Sequence, residues 1–395
     1  MTLSLLAFAA VALPEPQLIV QLKPGADPAA VAARAKVVLR DVTPNAPFAL
    51  YGVTSGTADA AQLRLMADTT SVLWAEDNVE AQNPETTASR TSPTYKGSSL
   101  SVIGDHDTLV ARNTNSLAQV GYSPALAAST GRTVKLAILD SGLSRKQTGL
   151  WSKVVASYDV TGGNADDAPA GIDSSRNGIA DEAVGHGTMV AGIVDTVAPQ
   201  VKLVIAKIAD SDGRSNGWSI VRGMAFAVTN GAEIANLSLG SVQSIAAFND
   251  VSEWAETKGL LVVAPSGNGG TDRSWYPARS SHALCVGGLN PDDTKACFSN
   301  WDSALDSSAP AVGLTSQWWD GGLGKWSGTS FAAPFVAGGL ADCLRRTSSR
   351  RSPGYLVDVV KSTGRNVDRL NSKYKGKMGT VVNIMSLNRK LTGSP

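Results

Sequence analysis

Apolar and polar positions alternate along residues 17–22, where Leu18, Val20 and Leu22 share one face, the period of a half-buried strand. Asp27 then stands before Pro28, a capping residue followed by one suited to the first helical position, and Val31, Ala35 and Val38 or Leu39 recur on one helical face. Further apolar stretches at 37–42, 48–53 and 72–75, with a helix-compatible run at 60–66, complete a β-α-β-β-α-β order. Residues 17–80 are therefore expected to fold as a small α+β unit of ferredoxin-like type. Across 83–101 large apolar side chains nearly vanish and Ser, Thr and Pro dominate, which predicts a linker open to proteolysis and a domain boundary. Beyond it the pattern changes. Residues 134–139, 203–207, 233–239 and 260–264 are almost continuously apolar, as parallel strands covered on both faces must be, while 188–197, 218–228 and 246–257 carry helical spacing. Residues 102–395 are thus expected to form an α/β domain with a mostly parallel sheet flanked by helices.

Composition narrows the partners. The chain has 395 residues with 35 Lys+Arg against 34 Asp+Glu, a formal charge of +1, so it lacks the basic excess with which nucleic acid or an anionic membrane is met. The apolar run 3–13 ends in Ala10-Val11-Ala12 ahead of Pro14, which reads as a signal peptide over 1–12 and predicts secretion; a plain apolar N-terminus is the alternative, since the run lacks a preceding Lys or Arg. No stretch supplies the roughly 20 apolar residues of a membrane-spanning helix. A soluble, exported monomer is expected.

Candidate chemistry lies at the carboxyl ends of the predicted parallel strands, where ligand groups gather in open α/β sheets. The first delivers Asp140-Ser141-Gly142; Gly185-His186-Gly187-Thr188 opens a helix; Pro265-Ser266-Gly267-Asn268-Gly269 is a glycine-rich turn; and Gly328-Thr329-Ser330 begins a helix rich in small residues. Each has an ordinary structural explanation by itself: a capping Asp, a helix-start His, a turn Asn, a capping Ser. Together they make a nucleophile, a base and an orienting carboxylate, because a Ser hydroxyl is inert until a base takes its proton and imidazole needs a carboxylate to fix its tautomer. Asn268 and the backbone N–H of Ser330 would stabilise an oxyanion. With only 3 His and 3 Cys in the chain, His106 and His282 have no metal-ligand partner at a recognisable spacing, and Cys285, Cys297 and Cys343 are not spaced as a zinc site.

The motifs Asp140-Ser141-Gly142, Gly185-His186-Gly187-Thr188 and Gly328-Thr329-Ser330, in that order, resemble those of the subtilisin-like serine peptidases. Asn236-Leu237-Ser238-Leu239-Gly240 is similar to the family's substrate-binding strand, Ser266-Gly267-Asn268-Gly269 to its oxyanion turn, and Tyr276-Pro277-Ala278 to the segment after it. The resemblance covers about 123–387 and implies an endopeptidase that acts on proteins or peptides through an acyl-enzyme at Ser330, with substrate held along Ser238, Leu239 and Gly240. It further implies that 17–80 is an inhibitory propeptide and that the enzyme is made as a zymogen. Met189, Phe331 and Phe335 depart from residues frequent in the family, and Trp275 stands where a small residue would border the primary specificity pocket. Competing classes lack their marks: there is no Gly-x-Ser-x-Gly for an α/β-hydrolase, no Gly-x-Gly-x-x-Gly after the first strand for a nucleotide site, and no missing catalytic group for a silent scaffold.

No cofactor is required by this chemistry, but Asp173, Asn177 and Asp181, with Gly178 between, follow the first part of a calcium-loop pattern. Ser175 and Val184 break it, and a polar surface loop is the alternative. Cys285 and Cys297 flank a turn-like cluster at 290–293, which suggests a disulfide across a hairpin; the alternative is that all three cysteines, Cys343 included, are free and buried as small apolar residues.

Overall fold

In a computed structural model of the protein, residues 15–87, 94, 96–244 and 246–393 are described. The signal peptide expected at 1–12 lies outside them. The chain divides into two compact units, Met1–Asn78 and Val79–Pro395.

In the first unit, strand β1 (Gln17–Leu22), helix α1 (Pro28–Ala35), strands β2 (Val38–Val42) and β3 (Phe48–Gly52), helix α2 (Ala58–Ala67) and strand β4 (Val72–Asp77) follow in the expected order. They form a four-stranded antiparallel sheet in the order β2-β3-β1-β4. Asp27 caps α1 by accepting from the Ala29 N–H at 2.9 Å, and Thr57 caps α2 through Ala60, so each helix begins where a short polar side chain can satisfy an orphan N–H. Leu18, Val20, Val31, Ala35, Tyr51, Leu65 and Ala75 close the core between helices and sheet.

The second unit is built on a nine-stranded sheet. Its central strands are Lys135–Asp140, Lys202–Lys207, Ile234–Leu237, Leu261–Pro265 and Ala283–Leu289, and every pairing in the sheet is parallel except the edge pair Arg365–Asn366 with Thr380–Val381. Burial on both faces explains the continuous apolar runs. Two helices, His186–Val197 and Thr329–Arg345, are buried along their whole lengths and pack on each other where Gly338 meets Val194 and Val197; a Cβ on Gly338 would come within 2.6 Å of the Val197 side chain. The small residues of the second helix thus permit close backbone approach, and this brings the starts of both helices to one end of the sheet.

Residues read from sequence as the beginning of an open linker are built into this unit. Strand Glu80–Gln82 pairs antiparallel with Arg214–Asn216, Gln82 exchanges two 3.0 Å backbone bonds with Gly240, and Pro84–Thr87 is a 3-10 turn with Glu85 fully buried. The second compact unit thus takes in residues from Val79 onward, ahead of residue 102.

All three cysteines are free, so the Cys285–Cys297 bridge is not formed. A hairpin does lie between them, but its register pairs Leu289 with Lys295 and Ala296 N–H with Gly288 O, which leaves Cys285 and Cys297 two positions out of step; Cys285 is buried in its strand and Cys297 is exposed. Among the described residues no helix is long and apolar enough to cross a membrane.

Candidate active site

Asp140 ends its strand fully buried, and its Oδ1 accepts from His186 Nδ1 at 2.7 Å and from the Ser141 N–H at 2.7 Å. His186 is the first residue of its helix, preceded by Gly185 at φ 88°, a left-handed turn that a residue with a Cβ would resist. Gly187 is fixed for a different reason: a Cβ there would overlap the Gly142 carbonyl, so only glycine lets the Asp140 and His186 segments touch.

A second carboxylate, Asp167, locks this junction. It accepts from the Gly185 N–H at 3.0 Å, from the Thr188 N–H at 3.0 Å and hydroxyl at 2.6 Å, and from Ser141 Oγ at 3.1 Å, while Ser141 Oγ in turn accepts from Gly187 N–H. Burial raises the Asp167 carboxyl above its usual range even though those bonds favour the anion. No motif marked it in the sequence.

Ser330 is the second residue of its helix. Four positions on, Pro334 has no N–H to offer, so the Ser330 carbonyl would lack its helical partner. The hydroxyl of Ser238 supplies one at 3.0 Å, and Asn236 donates to that hydroxyl at 2.8 Å. Ser238, expected from sequence to touch substrate, thus also holds the backbone of Ser330. Asn268 is fixed in a similar way: its Oδ1 accepts from the Thr329 N–H at 2.9 Å and hydroxyl at 2.7 Å, which leaves Nδ2 to donate elsewhere.

The structure brings these groups together around one side chain that the sequence did not flag. Glu85 Oε2 accepts from Ser330 Oγ at 2.7 Å and from His186 Nε2 at 3.1 Å; Glu85 Oε1 accepts from Asn268 Nδ2 at 2.9 Å and from the Ser330 N–H at 3.4 Å. The only clue was that Glu85 is the one acidic residue in 83–101. Burial opposes charge on His186, but Asp140 and then Glu85 outweigh it and raise the imidazole to about 10, so the ring carries its proton in this arrangement. Trp326 meets that ring edge-on at 5.4 Å between centroids and Phe331 lies at 5.0 Å, which keeps water from its faces.

The expected substrate strand lies beside this centre. Gly240 gives both backbone groups to Gln82, the Ser238 carbonyl accepts from Asn83 Nδ2 at 2.9 Å, and Leu239 between them is buried. Trp275 is 7% exposed and packs on the turn Ser266-Gly267-Asn268-Gly269, where a Cβ on Gly267 would come within 2.8 Å of its indole.

Of the calcium-loop residues, Asn177 Nδ2 donates to Glu182 Oε2 at 2.7 Å and Ser175 Oγ donates to the same oxygen at 3.2 Å, whereas Asp181 bonds elsewhere. Asp181 spends its oxygens on the N–H groups of Ala170, Gly171 and Ile172, Asp173 accepts from Asn177 and Gly178 N–H within its own turn, and Asn177 Oδ1 accepts from Ile179 N–H. Each of these oxygens accepts from a backbone N–H, and Asp173 Oδ1 accepts from the Ser175 hydroxyl as well, at 3.3 Å. Among the described residues no group of three or more His, Cys, Asp or Glu is arranged to hold a metal.

A family model described as the subtilase family matches residues 131–373. Subtilisin BL of Lederbergia lenta is 36% identical over 251 residues, 61% of this chain and 87% of that protein. Alkaline elastase YaB of Bacillus sp. (strain YaB) is 33% identical over 247 residues, and the match spans 61% of its length. Among solved structures, a cold adapted subtilisin-like serine proteinase superposes with a TM-score of 0.56 at 27% identity, covering 65% of this chain and 90% of its own. Fervidolysin from Fervidobacterium pennivorans shares the fold with a TM-score of 0.72 at 19% identity, over 95% of this chain and 61% of that one.

Proposed function

The chain belongs to the subtilase family and is a serine endopeptidase, and from that premise we propose that it hydrolyses peptide bonds through an acyl-enzyme at Ser330. His186 Nε2 takes the Ser330 proton as Oγ attacks the substrate carbonyl carbon, Asp140 holds the imidazole by Nδ1–H, and Asn268 Nδ2 with the Ser330 N–H stabilises the oxyanion. Collapse breaks the C–N bond and His186 passes its proton to the leaving amine; water then repeats the sequence on the acyl-enzyme. No cofactor enters any step.

One observation supports this reading above the others. A carboxylate is bonded on one oxygen by Ser330 Oγ and His186 Nε2 and on the other by Asn268 Nδ2 and the Ser330 N–H, the four groups that the mechanism needs around one carbon centre. The test is a fluorophosphonate probe, which reacts only with an activated serine: after cleavage of the chain, peptide mapping should find the label on Ser330, and a label elsewhere overturns the assignment.

In this reading the protein is a secreted zymogen acting on proteins or peptides. Residues 17–80 are its inhibitory propeptide, released by cleavage within or near 83–101, and export rests on the Ala10-Val11-Ala12 pattern. Ser238 and Gly240 would hold substrate by backbone bonds, as they hold Asn83 and Gln82. Trp275, packed against Gly267, limits the primary pocket, and no acidic side chain in the matched pocket segments would hold Lys or Arg. A peptide library should therefore favour medium-sized apolar residues before the scissile bond, and Trp275→Gly should shift the preference to larger ones. Selection of basic or large aromatic residues by the wild type contradicts this.

A further inference from the structure

We propose that the catalytic centre of the uncleaved chain is a carboxylate-binding site whose ligand is the side chain of its own Glu85, and that this ligand is what silences Ser330. The inference rests on the assignment of Ser330 as nucleophile and adds the chemical identity of the inhibitor.

Three features of the second unit carry it. The first is what the carboxylate displaces. Oε1 sits at the meeting point of Asn268 Nδ2 and the Ser330 N–H, at the start of a 17-residue helix whose dipole favours an anion, so the place where a substrate oxyanion would develop is already filled by a carboxyl oxygen. Oε2 holds the Ser330 hydroxyl and the His186 Nε2–H together, so the serine proton points at the inhibitor and the base already has its proton.

The second is the shape of the cradle. A Cβ on Gly328 would overlap the Glu85 carboxylate, so the residue before Thr329 must be glycine for this carboxylate to seat.

The third is how the backbone delivers Glu85. Gln82 and Asn83 lie along Gly240 and Gly213 by main-chain bonds, as an extended peptide would. The next acceptor, the Ser238 carbonyl, calls for a donor that Pro84 lacks, and the Asn83 side chain serves instead. The chain then turns into the 3-10 segment Pro84–Thr87, with the Asn83 carbonyl accepting from Thr86 N–H at 3.2 Å and Thr86 Oγ1 at 2.9 Å. The segment enters like a substrate and leaves as a turn, so a side-chain carboxylate, from which no amine can depart, faces the nucleophile.

The test uses the full chain from a protease-deficient host, treated with a fluorophosphonate probe, with labelling of the intact band followed on gels. Losing charge-assisted hydrogen bonds of this kind should make intact Glu85→Ala label about ten-fold faster than intact wild type, or more. Glu85→Gln keeps the shape without the charge, turns an amide toward groups that are themselves donors, and should also label faster; it carries the test if Glu85→Ala does not fold by its melting transition. Equal labelling of wild type and both variants overturns the proposal. Cleaved wild type is labelled in parallel, because failure there would remove the Ser330 assignment, and this inference with it, whereas normal labelling of cleaved protein beside unchanged intact variants would remove the inference alone.

Discussion

Ser330→Ala is expected to abolish hydrolysis of casein and of small peptide substrates. The methyl group has no lone pair with which to attack, and His186 is left with no proton to take. Loss of the nucleophile in a subtilisin lowers kcat on the order of 10⁶-fold, a magnitude carried over here from that relative. The fold should survive, since the Ser330 carbonyl and N–H, through which Ser238 and Glu85 hold the helix start, belong to the backbone and remain. The same variant reports on maturation. If the enzyme cuts its own chain within 83–101, Ser330→Ala will accumulate at full length; normal maturation in a protease-free host would mean that another enzyme makes the cut. Hydrolysis above a mock preparation would overturn the assignment of Ser330.

Most of the fold was legible because burial leaves a periodic trace. Strands such as Lys135–Asp140 and Leu261–Pro265 are covered on both faces, and only a continuous apolar run satisfies that. The site residues were legible through their surroundings: glycines stand at 185 and 187 because one needs a positive φ and the other has no room for a Cβ, and both requirements come from the approach of His186 to Asp140. What escaped the sequence has no period. Glu85 sits in a Ser/Thr/Pro-rich stretch whose composition speaks of solvent, yet three particular partners, Gly213, Ser238 and Gly240, draw its neighbours into the catalytic unit. Asp167 acts on groups 18 to 26 positions away, a separation at which no local pattern operates. The cysteine pair failed on hairpin register, which a two-residue slip decides, and spacing along a loop does not say which way each carboxylate turns: Asp181 faces the N–H groups of Ala170 and Gly171.

Asn268→Ala should give the second large loss while leaving Ser330 reactive toward the fluorophosphonate probe. Its amide is held from behind by two bonds from Thr329 to Oδ1, which fixes Nδ2 as a donor before any substrate arrives; such preorganised dipoles need no reorientation when charge develops. Removal of the comparable donor in a subtilisin raises the barrier by about 2.7 to 4 kcal/mol, again a value from that relative. The loss should fall on kcat with KM little changed, because a ground-state carbonyl gains less from this donor than the oxyanion does. Asn268→Asp is the sharper variant. It keeps the shape of the side chain but turns an oxygen toward the oxyanion position, so repulsion is added to the lost bond and kcat should fall below that of Asn268→Ala. In the uncleaved chain the same oxygen would face Glu85 Oε1, now 2.9 Å from Nδ2, and should loosen the inhibitory carboxylate. Steady-state kinetics on the matured variants, ranked wild type, Asn268→Ala, Asn268→Asp, check the assignment; an Asp variant as active as wild type would mean that Asn268 does not point at the developing charge.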